Sequence, residues 1–423
     1  MNNNDLGYQR SAMTRIREFL RMDRFRAANI AGKLVEYGFY GLIFFLPISK
    51  ALIETCAGFI LLGFLIRKSI SKDLSSFKSD AGIFWLLLIF FVFNAMSLAN
   101  SGPLLGKGIK TLFCKWLEYF LLFAIAIDHF KRARSIKRFI YVFVFGAALV
   151  GLSALSQKFF GFEFFRQRPI AGGIVTGPFE NPNSFSPYLV ICLCVVIALA
   201  SWKWPRKALN FSLLGVGLIL LVGLLFTFSR AGWLGFVAGS VVMMFLFDKK
   251  KLLLSLFAVF VLSLLLFFPF TQRLVYSFRA GWDSERFIIW RESITMIQEN
   301  PFLGKGLGTY MDHSKKDIAS DVGSHYAHNC YLQMWAETGM FTLLTFLLLA
   351  GFVLYRGIRI SLRSKDDDLG ILLGGLTAGL FGFLVASFFD TQLYSLQLSV
   401  LFWVMLGVAV ALERILLHKQ LQE

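Results

Sequence analysis

Charge is what this 423-residue chain has little of. Charged residues make up 16% of the sequence, where a soluble globular domain carries about 25%. With 57% hydrophobic residues and a mean hydropathy of +0.65, that shortage excludes an ordinary soluble domain. Cysteine is scarce too, and Cys56, Cys114, Cys192 and Cys194 fall inside apolar runs while Cys330 stands alone. No CxxC pair or metal-ligand spacing appears, which excludes a disulfide framework and a zinc site. No cleavable signal peptide is expected, because the first apolar run starts late and many others follow.

What is present is a series of apolar runs close to the ~20 residues that cross a bilayer. The expected fold is an all-α polytopic integral membrane protein with about twelve transmembrane helices and one large, partly helical periplasmic loop. Residues 1–33 read as a basic arm and 34–269 as nine spans, one of them Leu252–Phe268. Residues 270–333 read as the polar loop, 334–412 as three more spans and 413–423 as a tail. Of the 43 Lys and Arg, 28 fall in the arm, the tail and alternate loops, against 14 on the opposite side, with Lys115 inside a span. That asymmetry predicts cytoplasmic termini and an outward polar loop. In a bacterium this means a multi-pass protein of the inner membrane with its active loop in the periplasm.

The net charge of +17 therefore has a use that excludes nucleic acid as a partner. The Arg10–Arg26 cluster reads as an anchor on anionic membrane lipids.

The stretch Phe270–Met340 concentrates the polar chemistry. Asp283 or Ser284 can cap a helix that Pro301 ends, with Phe287, Trp290, Ile294 and Ile297 at helical spacing and Arg286 and Trp290 sharing a face. Gly304, Gly306 and Gly308 read as a flexible turn; no strand precedes them, so a nucleotide loop is not expected. A short helix near Ala327 leads through Gly339 into the next span.

Two histidines, His325 and His328, lie three residues apart in that stretch. Imidazole takes a proton near neutral pH, which suits activation of a hydroxyl. Either could instead be structural, and spacing does not separate them. Asp312, His313 and Asp321 stand at no recognised metal spacing. Arg230, Arg279, Arg286 and Arg291 could fork onto phosphate oxygens or merely snorkel to headgroups. Trp290 and Tyr331, with other loop aromatics, could stack on sugars or form an interfacial belt. Lys115 and Glu118 read as an i, i+3 ion pair inside a span.

Several motifs together resemble the O-antigen ligase / polymerase superfamily of bacterial membrane glycosyltransferases. They are the Ser229-Arg230-Ala231 turn, Arg286-x-x-x-Trp290 with Pro301-x-x-Gly304-x-Gly306, and His328-Asn329 followed nine residues later by Gly339-x-x-Thr342. Gly177, Phe179, Asn181 and Asn183 are similar to a further segment of that family. The histidine spacing selects His328 over His325. The resemblance implies transfer of a glycan from undecaprenyl pyrophosphate to a hydroxyl of the lipid A core, with no cofactor and no metal. His328 would be the base, and Arg230 and Arg286 would hold the pyrophosphate. Arg279, Arg291, Trp290, Asn329, Tyr331, Asn181 and His325 would contact substrate. The length suits a ligase better than the longer protein-glycosylating relatives. A polymerase, whose acceptor is another lipid-linked glycan, is the alternative. A secondary transporter shares the helix count, but would place its ionisable sites near the midplane.

Overall fold

Among the described residues, the apolar runs fold as helices. The computed structural model describes residues 26–73, 75, 79–202, 207–247, 285–314 and 326–422. The Arg10–Arg24 arm, the Leu252–Phe268 run, Arg279, the capping candidates Asp283 and Ser284, Asp321 and His325 lie outside them. Among the described residues there is no strand, only two isolated bridges in the 161–181 loop.

Helix α1 spans 26–45; then come α2 (Lys50–Ser71) and α3 (Ala81–Met96). Helices α4 (Leu105–Thr111) and α5 (Leu117–His129) run on through a π turn at Leu112–Trp116. Then follow α6 (Ala133–Phe160), α7 (Pro182–Ser201), α8 (Lys207–Phe226) and α9 (Arg230–Leu246). The polar stretch supplies α10 (Glu285–Glu299) and α11 (Tyr310–His313). The chain closes with α12 (Cys330–Arg363), α13 (Asp368–Ala386) and α14 (Leu396–Gln420). Among the described residues, seven helices are long and apolar enough to cross a membrane; α9 is apolar but shorter. The protein is an all-α, multi-pass membrane protein.

Helix α13 packs against α7 and α9, and α14 packs against α5. Small residues permit the closest of these approaches. A Cβ on Gly235 would sit 2.6 Å from the Gly382 carbonyl oxygen, and one on Gly382 would sit 2.4 Å from that of Gly235. Where lipid surrounds the bundle, van der Waals packing of this kind holds helices together.

Charge sorts to the two ends. At one end Lys68 meets Asp128 at 2.8 Å, Lys131 meets Asp73 at 3.1 Å, and Arg356 reaches both Asp80 and the fully buried Glu413. Arg414 also holds Asp80, and Lys137 and Lys419 hold Asp368 and Asp367. These residues come from the loops and helix ends assigned to one side of the membrane by their basic content. The polar stretch lies at the other end, stapled to the α3–α4 turn by Asn100 Nδ2 on the Gly304 carbonyl (2.8 Å) and to α4 by Lys107 on Asp312 (2.5 Å).

Three sequence expectations need correction. The glycine run is not a flexible turn. Gly304, Gly306 and Gly308 have φ of +69°, +114° and +74°, and their backbone is clamped against α12. Lys305 N donates to Ala336 O (2.9 Å), Gly306 N to Glu337 O (2.8 Å) and Gly308 N to Glu337 Oε2 (3.1 Å). Glycine is needed here for left-handed backbone and close approach, not for mobility. Second, the buried face of α10 is Ile289, Ser293, Met296 and Ile297; Phe287 and Ile294 are exposed. That face packs Met296 and Ile297 against Tyr310, whose hydroxyl bonds the Ser293 hydroxyl at 2.6 Å. Third, Lys115 and Glu118 are not an ion pair among the contacts described. Lys115 lies within the π turn that ends at Trp116, which shifts the register, and Glu118 Oε1 is buried without a hydrogen-bond partner.

Candidate active site

His328 stands at the head of α12 in a conformation the sequence did not disclose. Its φ is +47°, left-handed for a non-glycine residue, which costs ~1–3 kcal/mol and clusters at functional sites. Neighbours on both sides impose it. Asn329 follows as the N-cap, its side-chain oxygen accepting from Tyr331 N (2.9 Å) and Leu332 N (3.1 Å). Ala327 precedes, and its carbonyl accepts from Trp290 Nε1 at 3.0 Å. The expected short helix and the Gly339 break are both present: Gly339, at φ +83°, divides Cys330–Thr338 from the apolar remainder of α12.

The His328 ring is directed by a residue that sequence reading missed. Asp390, in the α13–α14 connection, lies with Oδ1 3.0 Å from His328 Nδ1. Burial by itself would raise the Asp390 carboxyl. The hydrogen bond and charge of His328, the Thr391 amide at 2.7 Å and the Arg286 charge outweigh it and hold the carboxyl below its usual range. A carboxylate only accepts, so the shared proton is carried on Nδ1, and it is Nε2 that would carry the lone pair of a neutral ring. Cys330 steadies the loop from behind, its Sγ donating to Asp390 O and accepting from Leu393 N, both at 3.3 Å.

Arg286, in the first turn of α10, joins this pair electrostatically. Burial lowers its guanidinium from the usual value; the Asp390 charge opposes that and the Arg230 charge adds to it. The two arginines and the aspartate thus share one field. Arg230 is exposed and opens α9, where Ser229 caps with its hydroxyl on Gly232 N. That hydroxyl accepts from Ser186 Oγ and donates to Asn183 Oδ1, each at 2.9 Å, tying the turn to the start of α7. Asn181 caps α7 through Ser184 N at 2.7 Å. Two helix N-termini therefore meet beside Arg230, and both favour an anion.

The structure brings together His328, Arg286, Arg230 and Trp290, with Asn181 at the edge. Arg291 is not among them. It lines a separate pocket of about 260 Å³ with Glu292, Glu299, Lys305 and His313. Asn329 is buried and occupied in capping. Tyr331 spends its hydroxyl on Leu384 O (2.7 Å), and Trp335 its indole N–H on Pro301 O (2.9 Å). Asp312 is paired with Lys107, and no group of three or more metal-ligating side chains occurs among the described residues.

Residues 215–347 match the O-antigen ligase family model, a window holding Arg230, Arg286, His328 and Gly339. Over 351 residues the chain is 24% identical to a ComP-specific O-oligosaccharyltransferase of Acinetobacter baylyi (strain ATCC 33305 / BD413 / ADP1), with 78% of this chain and 63% of that protein covered. The chain thus spans less than two thirds of that relative. A chain in a solved peptidoglycan synthase complex is similar at TM-score 0.45 and 18% identity, over 79% of this chain and 97% of that one; that likeness carries no functional argument. The family match and the oligosaccharyltransferase together support the O-antigen ligase superfamily.

Proposed function

We propose that the protein transfers a glycan from undecaprenyl pyrophosphate to an acceptor hydroxyl on the lipid A core, at the periplasmic face of a bacterial inner membrane. The observation that carries this reading is the His328–Asp390 pair beside Arg286 and Arg230. An alcohol is a poor nucleophile until its proton is removed, and Nε2 of an imidazole fixed through Nδ1 is a base suited to that task. The acceptor oxygen bonds the anomeric carbon as its proton passes to Nε2. The bond from that carbon to the pyrophosphate breaks on the far side, so configuration inverts. The electron pair goes to the pyrophosphate, and two guanidinium groups stabilise the charge that develops there. The chemistry asks for no metal or other cofactor.

The alternative acceptor is the end of a second lipid-linked glycan, which would make the protein a polymerase. The relative's specificity for ComP adds a polypeptide hydroxyl to the acceptors worth testing. A transporter is disfavoured, because the His328, Asp390 and Arg286 group sits in connections and the head of a loop helix, not in broken spans.

In an in vitro assay with lipid-linked donor and acceptor, His328→Ala is expected to lose turnover by ~10²–10⁴-fold, the usual contribution of a positioned base. His325→Ala should lose far less. Near-normal turnover by His328→Ala would refute the mechanism. Product formed only on lipid-linked acceptors would make it a polymerase.

A further inference from the structure

The backbone before His328 is held at two points, and one of them leads away from the site into a buried polar chain. Ala327 N donates to Gln333 Oε1 at 3.3 Å. Gln333 Nε2 donates to Glu337 Oε1 at 3.4 Å. Glu337 also takes the Gly308 amide on Oε2 and the Tyr310 amide on Oε1, both at 3.1 Å. Gln333 and Glu337 are 1% and 2% exposed, so no solvent substitutes for these bonds. The glycine run, whose shape resembles an anion cradle, is thus filled by a carboxylate of the chain itself.

The chemistry of each position is specific. Ala327 N–H requires an acceptor and Glu337 requires a donor. Only a side chain with both, in the first turn of α12, six residues after Ala327 and four before Glu337, closes the gap. Glutamine is that side chain. Glutamate would accept from Ala327 but face Glu337 with like charge. Trp290 clamps the same peptide unit from the other side, through the Ala327 carbonyl.

We infer that Gln333 and Glu337 are positioning residues for His328: a buried strut from the glycine run to the Ala327 amide that keeps the histidine in its left-handed conformation and aimed at the acceptor. The strut touches no substrate. It fixes the base, and a misplacement of about 1 Å at a reacting group can cost ~10²-fold. Its catalytic role rests on the transfer reaction proposed above.

The test is full-length protein in nanodiscs with lipid-linked donor and acceptor, reading kcat, both KM values and thermal unfolding. Gln333→Met keeps length and removes both bonds. Its kcat should fall by about tenfold or more, with donor and acceptor KM within about twofold of wild type. Gln333→Glu supplies the diagnostic readout. A proton shared between the two carboxyls restores the missing donor, so the ratio of its rate to that of wild type should rise as pH falls. Tyr310, Tyr394 and Lys107 are the other titratable groups that face Glu337. A flat ratio, a Gln333→Met kcat within twofold of wild type, or a loss confined to KM would overturn the strut. If Gln333→Met does not fold, Gln333→Glu and Trp290→Phe, which removes the second clamp, decide the matter. A wild-type protein that turns over no lipid-linked donor would refute the transfer reaction instead. The strut would then be read from the isotope-labelled His328 imidazole, whose resonances should move in Gln333→Met and would stay in place if the strut were irrelevant.

Discussion

At the scale of residues, three of the four central groups were legible and one was not. His328, Arg286 and Arg230 each belong to a short local pattern, and local patterns survive in one dimension. Asp390 does not. It is 62 positions from its partner, in a connection with no spacing to announce it, and outside the 215–347 family window. Only the meeting of α12 with the α13–α14 connection reveals it. Asp390→Asn would present an amide to Nδ1 and permit the wrong tautomer. We expect transfer to fall by ~10²–10⁴-fold with donor binding retained; a loss under fivefold would remove Asp390 from the mechanism. The same carboxyl is depressed in the folded state. Its contribution to stability is therefore present above the ordinary carboxylate range, near ~3.9, and lost as pH falls through its lower folded value. Wild type and Asp390→Asn should differ in unfolding midpoint at pH 7 and converge in strong acid. Arg286→Lys should also fail, because a point charge does not replace a planar fork, and this is checked by donor affinity at matched expression.

At the scale of elements, the sequence located helices well and misjudged how they are held. Hydrophobic runs carry their own length, so α7 and α13 lie close to the apolar runs Phe185–Ala200 and Leu369–Phe389, whereas α14 starts at the expected Leu396 but continues past Leu412 to Gln420, through residues read as a tail. The glycine run was misread because its partner, Glu337, lies about thirty residues on, and glycine favours looseness and tight packing alike. Of the four positions at helical spacing on α10 only Ile297 is buried, because the buried face also takes in Ser293, a polar residue that the apolar pattern passes over. Gly339 offers the element-scale test. A Cβ there would lie 1.9 Å from the Phe302 carbonyl oxygen and would have to adopt φ +83°. Gly339→Ala should destabilise by several kcal/mol, combining backbone strain with steric clash. A thermal midpoint equal to wild type would show that the joint between the two parts of α12 can relax.

At the scale of the whole molecule, the ends of the bundle differ in what their charges do. At the basic end, lysine and arginine are paired with aspartate and glutamate across helices. At the other, beside the Lys107–Asp312 and Lys305–Glu299 pairs, Arg286 feels the like charge of Arg230 and the opposing charge of Asp390. The first arrangement fixes helices and the second leaves capacity for an anion. On the topology we propose from the loop asymmetry in Lys and Arg, the first end would face the cytoplasm. A periplasm-dependent reporter should therefore be active after Gln167 and inactive after Asp366. The reverse pattern would invert the topology and place the site on the cytoplasmic side.

The left-handed backbone at His328 has a consequence for how this protein could be improved. Glycine or asparagine would occupy φ +47° with less strain. Made together with Asp390→Asn, so that no buried carboxylate loses its partner, either should raise the unfolding temperature above that of Asp390→Asn alone while abolishing transfer. A library screened for heat resistance alone would drift toward such pairs of changes. Selection for robustness and selection for chemistry pull in opposite directions at His328 and Asp390, and a stabilising campaign must hold both constant.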